Sequence, residues 1–246
     1  MSQTRTSVRR VLVAYAWVCL AVFAATRLES VPWIGEYVHL LVAAIFLLTA
    51  LHLTRDDPEH YGVALGGLLV PAPAEAARGP LGLWDLGRAI AGAFPSALRE
   101  GAIAVGVALV VLSLYTVGFY YWVQPTRAFA LTWPPALPSL ILAQLLIVAL
   151  PEEAFFRGYL QTALTDLEPR RVRLLGVSLA PAAWLTQAVL FAVVHLFSDP
   201  HPARLAVVFP ALLFGWMRAW RGGVGAAIAL HALSNLYSET LARSWL

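Results

Sequence analysis

Lysine is absent: all 17 basic residues of this 246-residue chain are arginine. Cysteine is almost absent too. Cys19 stands alone in an apolar run, which excludes disulfides and cysteine-based zinc sites. Charge of either sign is scarce, at 13% of residues, where soluble domains carry roughly a quarter. No internal repeat and no low-complexity tail is present, so repeat architectures fall away. What fills the chain instead is apolar, at 60% of residues with a mean hydropathy of +0.72. The pI of 9.3 does not point to nucleic acid as a partner. The arginines lie singly or in pairs between apolar runs, a topology signal rather than a phosphate-binding face. Composition therefore reads as a protein whose solvent is the lipid bilayer. The Ala-, Leu-, Arg- and Gly-rich usage further hints at a high-GC bacterial genome, hence the bacterial inner membrane.

A bilayer crossing needs about 20 mostly apolar residues. Runs of that kind occupy 11–26, 37–53, 101–123, 137 to beyond 150, 174–197, 205–217 and 222–238. The expectation is an all-α, polytopic membrane bundle of about seven helices (six to eight). Met1 to Arg10 is a basic flank followed by a long apolar run without a small-residue cleavage site, which reads as a retained first span. The sixth run is short and must borrow neighbours such as Arg204 and Arg218, whose side chains can snorkel. Pro151 and Pro181 can break or kink their helices. In the long connection 54–99, Trp84, Ile90, Phe94 and Leu98 recur at helical spacing, which predicts an amphipathic segment in the membrane interface. Two parts follow: 1–137, N-terminal spans with that loop, and 138–246, which holds the chemistry.

With the N-terminus inside, the inner loops hold Arg5, Arg9, Arg10, Arg55, Arg78, Arg88, Arg99, Arg170, Arg171, Arg173, Arg218 and Arg221. The outer loops hold only Arg27, Arg127, Arg204 and Arg243. The bias predicts a cytoplasmic N-terminus.

Ionisable side chains inside lipid cost about 3 kcal/mol each on insertion scales, so each needs a reason. Glu152 and Glu153 follow an uncharged run from Leu137. Glu153 and Arg157 are four residues apart and share a helix face, so they can pair. Glu152 points about 100° away and keeps no such partner. In low dielectric beside a second carboxylate it is expected to hold its proton more tightly, which suits a general base. Phe191 and His195 share a face of a span without other titratable groups. His231 and Asn235 share a face of the last span. Each cluster has an ordinary reading: helix-end charges, an interfacial histidine, an interhelical hydrogen bond. Together they supply what peptide hydrolysis requires. A carboxylate and an imidazole can deprotonate a water, and an imidazole and a carboxamide can bind an oxyanion.

The sequence Glu152-Glu153-x-x-x-Arg157-Gly158, then Phe191-x-x-x-His195, then His231-x-x-x-Asn235 resembles the three signature motifs of the CPBP family. Its members are the CAAX prenyl endopeptidases and bacteriocin-processing proteins, also called the Abi family of intramembrane glutamic peptidases. The approach from Phe214-Gly215 through Arg221-Gly222-Gly223 to His231 is similar as well, and the resemblance covers about residues 138–240. It implies that Glu152 activates water with help from His195 and that His231 and Asn235 form the oxyanion site. Glu153 and Arg157 would support them, and Phe191 would shape the pocket wall below His195. The implied partners are a membrane-associated protein or peptide substrate and the bilayer itself. No cofactor is expected; zinc, once ascribed to the family, is the alternative, since Glu and two His can ligate it.

Other intramembrane proteases are excluded by motif, for the chain has no His-Glu-x-x-His, Gly-x-Ser-x-Gly or Gly-x-Gly-Asp. A proton-coupled transporter predicts inverted repeats or paired broken helices, and no repeat is found. A silent immunity protein of the same fold is the remaining alternative, although all four polar residues are kept. Simple alternation of spans puts Glu152 and His231 near mid-membrane but His195 towards the outer end of its span.

Overall fold

The computed structural model describes residues 7–67 and 83–245. Arg5, Arg78, the side chain of Trp84 and the Gly- and Pro-rich stretch from residue 68 onward lie outside the described residues. The described chain is nearly all helix. Its principal helices are α1 (Val8–Thr26), α2 (Val38–Thr54), α3 (Leu83–Val123), α4 (Leu137–Leu167), α5 (Pro181–Ser198), α6 (Val208–Arg221) and α7 (Gly225–Trp245). Six segments among the described residues are long and apolar enough to cross a bilayer. The seventh helix, α7, has the length at 21 residues, but His231, Asn235, Glu239 and Arg243 lower its hydropathy. The molecule is a polytopic all-α membrane bundle.

Helix boundaries follow local chemistry. The Ser7 hydroxyl accepts from the Arg10 amide at 3.2 Å and caps α1. Pro181 opens α5 instead of kinking it, because its missing N–H is one the first turn leaves free. The Glu168 carboxylate completes that start by accepting from the amides of Ala182 (3.2 Å) and Ala183 (2.9 Å), a negative charge at a helix N-terminus. Gly222, at φ 72°, closes α6 in the left-handed conformation.

Three expectations need correction. The fifth span does not begin at residue 174. Val172–Leu174 and Val177–Leu179 form an antiparallel hairpin, β1 and β2, turning through Leu175 and Gly176 at φ 51° and 81°. The third span does not begin at residue 101, for the expected amphipathic helical segment runs straight into it. That segment is the N-terminal part of α3, with Ile90, Phe94 and Leu98 exposed on it, and α3 continues through Pro95 for 41 residues. That is about 60 Å, twice the hydrocarbon thickness. Arg218 does not snorkel into lipid. It is buried, donating to the His60 carbonyl and to the Thr162 hydroxyl, both at 3.1 Å.

The buried arginine shows how the α2–α3 connection is held. Its segment from His60 to Ala64 seats on the end of the bundle, with Val63 and Ala64 buried. The Val224 amide donates to the Gly62 carbonyl at 2.9 Å. Gly62, at φ 66°, has no room for a side chain against Gly222 and Arg218, and Gly158 has none against Val63. His60 and Asp166 close the margin at 3.0 Å.

One apolar cluster ties both halves of the chain together: Val18 of α1, Phe46 of α2, Phe155, Phe156 and Leu160 of α4, Ala188 of α5 and Ala211 of α6. A second joins Ala104 of α3 to Phe214, Met217 and Leu230. Between them lies the polar interior.

Candidate active site

Helix α4 is not a uniform α-helix. Gln144–Ala149 and Ala154–Leu160 are π-helical, flanking a short α-helical piece, Leu150–Glu153. Such turns carry about one extra residue and often occur at functional sites. Pro151 lies between the two, where a regular helix would suffer its missing N–H most. The carboxylates therefore sit on a short α-helical piece between two π-helical stretches in the middle of α4, not at its end.

Glu153 points inward with no exposed side-chain surface, and so does Arg157. Arg157 donates to Glu153 Oε1 at 2.8 Å and to the Ala211 carbonyl at 3.3 Å. Its guanidinium lies over the rings of Phe191 (4.3 Å) and Phe214 (5.2 Å), contacts that partly replace lost hydration. His231 brings Nδ1 to the same Glu153 oxygen at 2.8 Å, and Phe214 stacks on its ring at 4.8 Å. A carboxylate only accepts, so the contact puts a proton on Nδ1, and the tautomer that carries only this proton has its lone pair at Nε2.

Glu152 faces Nε2. Its Oε2 is 3.9 Å from His231 Nε2, buried and without a hydrogen bond. Two acceptors at this separation can share one water that donates a hydrogen to each. With both contacts at about 2.8 Å, the angle at the water is about 90°.

The remaining expected residues are placed as follows. His195 hydrogen-bonds through Nδ1 to the Phe191 carbonyl at 2.8 Å, and its ring packs on Phe191 at 4.6 Å. Phe191 also meets His231, at 6.1 Å, so one ring neighbours both imidazoles. Asn235 donates to Gln144 Oε1 at 2.8 Å. Glu152, Glu153, Arg157 and His231 are thus brought together, with Phe191 alongside. Among the described residues no hydrogen bond joins His195 to Glu152 or Asn235 to His231.

Gln144 is a residue the sequence reading passed over. It lies eight positions before Glu152, about 80° away around a regular α-helix but within about 20° once one residue is absorbed by a π turn. Its amide makes no second hydrogen bond among the described residues. Gln161 and Gln187 were also missed. Buried between α4, α5 and α6, they donate to the carbonyls of Gly215 (2.9 Å) and Ala211 (3.2 Å) and brace the helix behind Arg157. An uncharged polar side chain inside a span was the available signal for all three.

Residues 134–237 match the family model for type II CAAX prenyl endopeptidase Rce1-like proteins. The match spans less than half of the chain. The match coincides with the stretch that carries the three motifs, and it bears out the resemblance read from them. It supports a CAAX-type intramembrane endopeptidase, a protease. No curated protein and no solved structure matched the chain. The Rce1-like segment begins just before α4 and ends on α7, so it contains every polar group of the site. Helices α1, α2 and α3 pack around it.

Proposed function

We propose that the protein cleaves a peptide bond of a membrane-associated protein or peptide by general-base attack of water, without a covalent intermediate. The observation that carries this is the unpaired Glu152 carboxylate facing His231 Nε2 across 3.9 Å. A water donating to both keeps a lone pair free for the scissile carbonyl. As it attacks, its proton passes to Glu152, which can return it to the leaving amine. The chain from Arg157 through Glu153 to His231 Nδ1 fixes the imidazole's tautomer and orientation. Asn235, held by Gln144, keeps its second N–H for the developing oxyanion. His195, with Nδ1 on the Phe191 carbonyl, keeps Nε2 without a hydrogen bond among the described residues.

Zinc fits these residues poorly. Among the described residues no three His, Cys, Asp or Glu side chains are grouped to hold a metal ion. His231 Nδ1 is engaged by Glu153, and His195 Nδ1 by the Phe191 carbonyl. Activity should persist after exhaustive dialysis against a strong chelator. Loss restored only by zinc would return the metalloenzyme reading.

The arginine distribution supports a bacterial inner-membrane protein with a cytoplasmic N-terminus. A bacterial source argues against a prenylated tail as substrate and in favour of another membrane-associated protein or peptide. A deletion strain complemented with wild type or with Glu152→Gln tests the whole reading by its membrane proteome. Uncleaved precursors should accumulate in the deletion and persist with Glu152→Gln. Full processing by that variant would remove Glu152 from catalysis.

A further inference from the structure

Away from the site, α1 and α2 frame a lateral groove of about 670 Å³. Its mouth is formed by Arg9, Arg10 and His52, its walls by Val13, Trp17 and Leu48. Trp17 and Leu48 are more than half exposed, so the groove opens sideways to lipid. Arg10 and Trp17 are seven residues apart, which places the basic mouth about 10 Å along the helix axis from the aromatic wall.

The two arginines differ from those that a carboxylate of the chain itself neutralises. Arg157, Arg204, Arg221 and Arg243 each pair with a carboxylate at 2.8 Å. Among the described residues none pairs with Arg9 or Arg10, and His52 has no hydrogen bond either. Two guanidinium groups over an apolar trough open to the membrane match one kind of occupant in both charge and shape. We propose that this groove binds one anionic diacyl phospholipid, its phosphate on Arg9, Arg10 and His52 and an acyl chain against Trp17 and Leu48. The site is independent of the peptidase chemistry.

The test is native mass spectrometry of the full chain in detergent, titrated with phosphatidylglycerol or phosphatidylcholine. Wild type should retain one phosphatidylglycerol in preference to phosphatidylcholine. Arg9→Gln with Arg10→Gln should weaken it roughly tenfold to thirtyfold, near-surface arginines contributing about 1 kcal/mol each. Arg170→Gln with Arg173→Gln removes equal charge from the exposed β1 region and should change nothing. Leu48→Trp, which fills the trough without touching charge, should weaken retention as well. Equal loss in both charge variants, no headgroup preference, or full retention in Leu48→Trp would each overturn the proposal. So would full competition by inorganic phosphate alone, which would mark a plain anion site.

Discussion

Glu152 and Glu153 are neighbours in sequence and opposites in circumstance. Glu153 has no exposed side-chain surface, and one of its oxygens receives both an arginine and a histidine. Glu152 is 16% exposed, receives no hydrogen bond and looks across a gap at the same histidine. One turn of helix thus carries an anchored carboxylate and a loose one. Burial of a charge is tolerated only where partners replace water, so Glu153 serves the architecture. A carboxylate left with an unsatisfied oxygen beside an imidazole can bind and deprotonate a water.

The contrast can be broken at either residue. Glu152→Gln should lower cleavage about 10²–10⁴-fold. Thermal unfolding should move by less than about 0.5 kcal/mol, since no hydrogen bond is lost. Comparable losses of activity and stability would erase the distinction. Arg157→Leu strands Glu153 and should destabilise the protein by about 3–5 kcal/mol, read in detergent by thermal or denaturant unfolding. Asn235→Ala should reduce kcat about 10²–10³-fold if its amide meets the oxyanion, with KM little changed. Gln144→Leu is the mildest: it frees the Asn235 amide to rotate and, at about 1 kcal/mol, should cost roughly fivefold in kcat. A Gln144→Leu enzyme with unchanged kcat and raised KM would place Gln144 in substrate binding instead.

Much of this arrangement was legible in the sequence because its signals were costs. Charges and histidines in apolar runs needed partners, and the i,i+4 spacing already paired Glu153 with Arg157. The helical bundle was legible for the same reason. The hairpin at 172–179 was not, since a short apolar run beside arginines reads as span until the left-handed turn at Leu175-Gly176 is seen. The continuity of α3 was hidden because Pro95 and the glycines before it read as loop. Gln144 was hidden by geometry. Regular helical arithmetic puts it on the wrong face of α4, and no composition rule announces a π turn. Spacing put His231 and Asn235 on one helix face but said nothing of their partners, which distance gives as Glu153 and Gln144.

The first π-helical stretch has a genetic consequence. Removing a single codon between Gln144 and Ala149 would let the segment relax to ordinary helix, rotating everything upstream by about 100° relative to the two carboxylates. The reading frame and the hydropathy of the span would survive such a deletion, yet Gln144 would swing away from Asn235. In an alignment of relatives, a one-residue gap there marks a different face turned toward the last helix, and carboxamide partners should be sought at shifted positions on the far side of it.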